Sequence, residues 1–261
     1  MRTLHLSPRV TATGSALAAA AVRRGMSVRT MHDWRVPEES KGAPGASLYA
    51  APLFADAVAD ELGLALLEAP EDWLASLPYE LTGREIQFTS LAKARALRRP
   101  AFVKPPNDKS FPARIYADGS GLPGPDAADD DTRVLVSDIV RFMTEYRLFL
   151  LDGVVVTGSR YAVHGDLDVA PLDKDPRRAE VLDFAARLGG TGLPSAIVVD
   201  VGAVDGGWAV VEANAAWASG HYACDDDTAL DVVLRAARPA AETLPSDARF
   251  VRPCPSVLRG G

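Results

Sequence analysis

Apolar and polar positions change period several times along this chain, and the changes divide it into three stretches. Over residues 1–83 short apolar runs alternate with helical patterns. Residues 4–6 read as a strand, 14–24 as an alanine-rich helix, 27–31 as a second strand, 54–62 as an amphipathic helix and 64–67 as a buried strand. Such alternation predicts an α/β layer. Over residues 84–136 the spacing predicts a helix at 86–97, short strands at 101–104 and 113–116, and a Gly-, Pro- and Asp-rich loop at 119–131. From Arg133 onward strands dominate. Residues 134–136, 146–151 and 154–157 have strand character, and Asp152-Gly153 between the last two is a strong hairpin signal. Residues 176–188 carry Val181, Leu182, Phe184, Ala185 and Leu188 at helical spacing, ended by Gly189-Gly190. Two apolar strands, one reaching Asp200 and one running from Trp208 to Asn214, read as a hairpin. A last helix covers 226–238, and the tail from Pro239 shows no pattern.

Within this pattern the hairpin holds the sharpest chemical signal. Glu212 and Asn214 are two apart on a strand and point to one face. Asp200 can meet Glu212 across the hairpin. Three hard oxygen donors on adjacent strands suit Mg²⁺ bound to nucleotide phosphates. Lys104 ends an apolar strand just before Pro105, where an inward ammonium can sit over phosphate oxygens. Lys109 and Ser110 occupy the loop that follows. The segment Ser137-Asp138-Ile139-Val140 crosses after an apolar strand and can offer backbone groups to an adenine edge. Arg147 shares a strand face with Phe149, and the hairpin can bring Arg160 toward it, making a two-guanidinium fork for carboxylate or phosphate. Trp217, His221 and Tyr222 follow the acidic strand. His221 reads either as a general base or as an ordinary polar residue. Cys224 is a nucleophile only if a base stands beside it.

Composition narrows the classes. The 261 residues are 48% hydrophobic and 24% charged with net charge −7, an ordinary globular balance without a basic footprint for nucleic acid. Lys93 to Arg99 is a local exception with four cations. No apolar stretch is long enough to span a bilayer. Residues 16–22 look like a short signal core, but Arg23-Arg24-Gly25 follows instead of a cleavage site, so strand-then-helix is the reading. Two cysteines, Cys224 and Cys254, make no disulfide framework, and a reducing cytoplasmic setting is expected. Neither GxGxxG nor GxxxxGK[ST] occurs.

Taken in order, Lys104-Pro105, the apolar hinge strand, Glu145-Tyr-Arg147, the hairpin, Ser159-Arg160-Tyr161, Asp200 and Glu212-Ala-Asn214 resemble the ATP-grasp superfamily. They are most similar to its clade named for two arginines and one lysine, matched by Arg147, Arg160 and Lys104. The resemblance covers roughly residues 84–238. It implies an α/β (α+β) ATP-grasp fold: an N-terminal α/β domain (1–83), a small lobe (84–136) and a large lobe with the metal site (137–261), the two lobes clasping ATP. It further implies Mg²⁺ on Asp200, Glu212 and Asn214. Nucleotide contacts would come from Lys104, Lys109, Ser137, Asp138, Ile139 and Val140, and catalytic roles would fall to Lys104, Arg147 and Arg160. The implied reaction is ATP-dependent ligation of a small-molecule or peptide carboxylate to an amine or thiol through an acylphosphate. A phosphotransferase and a non-catalytic nucleotide-binding module are the alternatives. Residues 105–111 depart from the glycine-rich phosphate loop of better-known ligases. A loop over the site must keep water from the acylphosphate, and 119–131 or the loop at Lys109 is expected to serve as that lid.

Overall fold

The computed structural model describes residues 2–107 and 110–253. Its first layer is a parallel sheet in the order β2-β1-β3, built from β1 (Thr3–Leu6), β2 (Ser27–Thr30) and β3 (Ala46–Tyr49). The alanine-rich stretch forms α1 (Ala12–Arg23), where the Thr11 side chain caps the helix by accepting from the Gly14 amide at 2.9 Å. α2 (Pro52–Leu62) starts with proline at its first position and stops at Gly63, which takes a left-handed φ of 69°. β4 (Leu64–Leu66) follows, then the short helices α3 (Trp73–Ser76) and α4 (Tyr79–Thr82).

The expected helix at 86–97 is corrected. Residues Ile86–Ser90 form strand β5, paired antiparallel with residues Arg133–Ser137, and only Leu91–Arg95 is helical, as α5. Ile86, Phe88 and Thr89 are strand formers, and Ser90 caps the helix after them. The second sheet has the order β5-β8-β6-β7, with β6 (Ala101–Lys104), β7 (Arg114–Tyr116) and β8 (Arg133–Ser137).

The third sheet, β11-β10-β9-β12-β13, is antiparallel throughout. It contains β9 (Thr144–Leu151), β10 (Val154–Val163), β11 (Asp166–Pro171), β12 (Ala196–Val204) and β13 (Gly207–Asn214). Asp152 and Gly153, at φ 49° and 79°, make the tight turn foreseen between β9 and β10. α6 (Arg178–Ala186) covers one face, where Val181, Phe184 and Ala185 pack with Tyr146, Leu148, Leu150, Val199, Val201 and Val210. The other face packs Phe149 and Val198 against α7 (Asp226–Ala236) and the N-terminal layer. It leaves its far end to the polar residues described below.

The expected helix at 226–238 ends two residues early. β14 (Ala237–Pro239) pairs with β4, so the patternless tail returns to the N-terminal layer. Arg252 fixes it there by ion pairs to Asp56 and Glu68 at 2.7 Å. Among the described residues, no helix is long and apolar enough to cross a membrane.

Candidate active site

The site forms where β6 of the second sheet meets the open end of the third. Asp200 and Glu212 are cross-strand partners, as the hairpin predicts. The Asn214 amide donates to Glu212 Oε1 at 3.1 Å and to Asp200 Oδ2 at 3.3 Å, so the three expected oxygen-bearing side chains do converge. Lys104 reaches across from β6 and bonds Glu212 Oε2. Burial opposes the charge on Glu212, yet Lys104 and the Asn214 amide together hold its carboxyl below the ordinary value.

Simple alternation does not produce this arrangement. Trp208 and Val210 face the α6 side with Val201, and two more steps of regular strand would send Glu212 there as well. Instead the register shifts: Val210 pairs with Val201, Glu212 pairs with Asp200, and Val211 is the extra residue of a β-bulge. One inserted residue turns every later side chain to the opposite face. Glu212 and Asn214 thus reach the site while Ala213 joins the α6-side cluster. Because residues 209–211 are all apolar, nothing in the hydrophobic pattern marks which of them is extra.

Arg147 lies on the site face, as expected, but not as half of a fork. Its Nε and Nη2 donate to the two oxygens of Asp200 at 2.9 and 2.7 Å, and its Nη1 donates to the Gly220 carbonyl at 3.1 Å. Three of its five donors are thereby spent. The guanidinium also lies 5.2 Å from the Tyr222 ring and 5.8 Å from the Tyr161 ring, which stack on each other. Although burial works against it, the Asp200 carboxylate keeps Arg147 firmly charged.

The expected pairing of Arg160 with Arg147 is corrected. Arg160 is the cross-strand partner of Tyr146, and cross-strand partners share a face. It therefore projects to the α6 side, bonding Asp175 at 2.7 Å and Asp168 at 3.0 Å, while Tyr146 donates to the same Asp175. The residue opposite Arg147 is Ser159.

The crossing segment is partly engaged already. The Asp138 amide donates to the Glu85 carbonyl at 3.1 Å, Ser137 Oγ donates to the Asp138 carbonyl at 3.1 Å, and Arg99 pairs with the Asp138 carboxylate at 3.4 Å. Ile139 is exposed. Lys109 lies outside the described residues. Asn107, two residues before it, donates to the Ala69 carbonyl at 2.8 Å and ties that loop to the N-terminal stretch. The 119–131 loop is docked rather than free: Arg95 donates to the Pro123 and Ala128 carbonyls, each at 2.8 Å, and pairs with Asp130. Leu122 is buried in the small sheet's own core.

His221 and Cys224 also resolve. His221 is buried, with Nδ1 3.1 Å from Thr13 Oγ1 and Nε2 2.8 Å from Asp226, so it ties α1 to the start of α7. Burial pushes the Cys224 thiol up to about 12, a value at which it stays protonated and inert. Two features escaped sequence reasoning. Ala69, Pro70, Glu71 and Trp73 line an open cleft together with Lys104 and Glu212. Arg84, buried beside β13, is the other. Motif reading singles out neither, because both depend on a distant segment packing against the hairpin.

Residues 81–232, more than half of the chain, match the family model described as ATP-grasp domain, R2K clade family 2. No curated relative matches the sequence. Three similar solved structures share the fold. A RimK domain protein ATP-grasp from Sphaerobacter thermophilus has a TM-score of 0.52 at 16% identity, covering 90% of this chain and 100% of that one. The D-alanine–D-alanine ligase from Bacillus anthracis has a TM-score of 0.52 at 14% identity, covering 90% and 97%. The ATP-grasp ligase PsnB, complexed with a minimal precursor, has a TM-score of 0.51 at 16% identity, covering 90% and 99%. With residues 81–232 matched by that model and the fold shared with these structures, the chain belongs to the ATP-grasp domain family, R2K clade family 2.

Proposed function

We propose that this protein activates a carboxylate with ATP and joins it to an amine or thiol. The observation that carries the reading is the convergence of Lys104, Glu212, Asn214 and Asp200 at the meeting of the two sheets. Two carboxylates held together by one carboxamide form a donor set that fits Mg²⁺, which prefers hard oxygen ligands. In this structure an ammonium and a guanidinium offset these two anions. Glu212, Asp200 and Asn214 would hold the Mg²⁺ ion. When bound, Mg²⁺ supplies charge neutralisation at the phosphate oxygens.

The chain's own residues do the rest. Lys104 leaves Glu212 and turns its ammonium to the phosphates. The γ-phosphoryl group passes to a carboxylate oxygen of the substrate, releasing ADP and leaving an acylphosphate. The amine or thiol then attacks the acyl carbon, inorganic phosphate departs and the nucleophile's proton passes to solvent. Arg147 acts chiefly by holding Asp200 in place, with two donors left for a substrate oxygen. Arg160, on the opposite face, serves the architecture through Asp175.

The test is ADP release from Mg·ATP against a panel of carboxylates, with hydroxylamine added to trap acylphosphate as hydroxamate. ADP and hydroxamate that both require Glu212 support the reading. A phosphorylated product stable to hydroxylamine would replace it with a phosphotransferase. Full turnover by Glu212→Gln would remove the metal assignment.

A further inference from the structure

The bulge at Val211 decides which face Glu212 and Asn214 occupy, so whatever holds the bulge controls the site. Arg84 is placed to do this. It follows Gly83, which ends α4 at a left-handed φ of 60° and lies against Ala209 of β13. The residue is 8% exposed. Nη1 donates to the Val210 carbonyl at 2.8 Å and to the Thr82 carbonyl at 2.9 Å, and Nη2 donates to the Val211 carbonyl at 3.1 Å. The guanidinium sits 5.5 Å from the Phe142 ring. Among the described residues no carboxylate lies within ion-pair distance of it.

Two aspects of this contact are unusual. In a regular strand, successive carbonyls point to opposite edges, so one side chain cannot reach both. Here Val210 and Val211 present theirs to a single guanidinium, because the bulge turns them the same way. β13 is also an edge strand, whose outward carbonyls have no ladder partner and cost free energy when buried unsatisfied. A planar fork satisfies both from two nitrogens in fixed geometry, whereas a lysine's three donors radiate from one rotatable ammonium and hold the pair less rigidly. Burying a guanidinium without a carboxylate is itself costly, and the cost is offset only if the carbonyls it meets must be held. The floor beside it is equally specified. A Cβ on Gly202 of β12 would lie 2.5 Å from the Phe142 ring, so glycine there leaves room for the ring that sits beside Arg84.

We propose that Arg84 is a positioning residue: by bonding the Val210 and Val211 carbonyls it fixes the β-bulge that turns Glu212 and Asn214 into the site. The consequence for catalysis rests on the metal–nucleotide reading above, whereas the structural claim does not. Arg84 touches neither Glu212 nor Asn214 through a hydrogen bond, so apart from the attraction between its charge and Glu212 its effect is transmitted by the backbone.

The experiment compares the wild type, Arg84→Met and Arg84→Lys for ADP affinity with and without Mg²⁺ by calorimetry. Backbone hydrogen exchange is followed in parallel on the ligand-free proteins. Arg84→Met should lose about 10- to 100-fold of the Mg²⁺-dependent gain in affinity, the range typical when the support of a metal ligand is removed. Metal-free ADP affinity should stay unchanged, and Arg84→Lys should recover part of the gain. Exchange should accelerate over residues 207–214 and not across the rest of the third sheet. An undiminished Mg²⁺ gain in Arg84→Met overturns the proposal. Equal loss with and without metal also overturns it, because the effect would then not run through the metal ligands. If Arg84→Met does not fold, Arg84→Lys decides by the same ratio. If the wild type binds no nucleotide, the site reading fails, and the exchange pattern alone decides whether Arg84 holds the bulge.

Discussion

Removing Arg147 tests the centre of the site. Asp200 is 1% exposed and both of its oxygens are taken by this one guanidinium, with only a 3.3 Å bond from Asn214 besides. Arg147→Met keeps the bulk and leaves a carboxylate buried without its counter-charge. Breaking a buried pair from one side costs about 3–5 kcal/mol. At about 2–4 °C per kcal/mol for a chain near this size, the thermal midpoint should fall by roughly 6–20 °C. The double variant Arg147→Met with Asp200→Leu removes both charges and should recover most of that loss. A deficit of about 1 kcal/mol should remain, from the Gly220 carbonyl that loses its donor. The assay is thermal or urea unfolding of the two single variants and the double, read as a mutant cycle. A single Arg147→Met loss under about 1 kcal/mol, or a double variant no better than the single, would refute the reasoning, because the pair would then not be closed off from water as the structure has it.

Lys104→Met should raise the Glu212 carboxyl, which Lys104 now holds down, and abolish Mg²⁺-dependent stabilisation by ADP; an intact thermal shift would take Lys104 out of the site. His5 supplies a pH dependence. It is buried with neither ring nitrogen bonded, and burial, assisted by Arg29, lowers it from 6.5 to about 4. The unfolded chain therefore binds the proton first, so stability is full above pH 6.5 and falls as pH drops toward 4, by up to about 3 kcal/mol. His5→Leu should flatten that part of the unfolding-versus-pH curve, and identical curves for the two proteins would remove His5 as its source. Gly202→Ala places a Cβ 2.5 Å from the Phe142 ring and 2.9 Å from the Thr144 carbonyl oxygen. It should cost about 1–3 kcal/mol in urea unfolding, and a neutral result would mean that the Phe142 ring is not held there.

Much of the site was legible because its signals are local. Asp152-Gly153 announced its turn through the φ > 0 that both residues adopt. Strand alternation put Glu212 and Asn214 together, and the hairpin spacing put Asp200 across from Glu212. Lys104 at the end of β6 was marked by the apolar residues before it and the proline after it. The helix expected at 86–97 failed for a matching reason: Leu91–Arg95 is helical, but Ile86–Ser90 contains β-branched and aromatic residues whose pairing with β8 outweighed the local pattern.

By itself, then, the sequence determined which polar residues stand out as candidates for the chemistry and which neighbours share a strand, since those follow from short-range periodicity and turn stereochemistry. The tertiary structure alone decided which face each strand shows. The Val211 bulge adds one residue within an apolar run, the cross-strand pairing of Arg160 with Tyr146 sends it to the α6 side, and the β4–β14 pairing joins segments 171 residues apart at Leu66 and Ala237. Side-chain period is two in every strand, so a shift of a single residue reverses the outcome. That shift is set by distant partners, here a guanidinium 126 residues away from Val210, and not by the residues that slide.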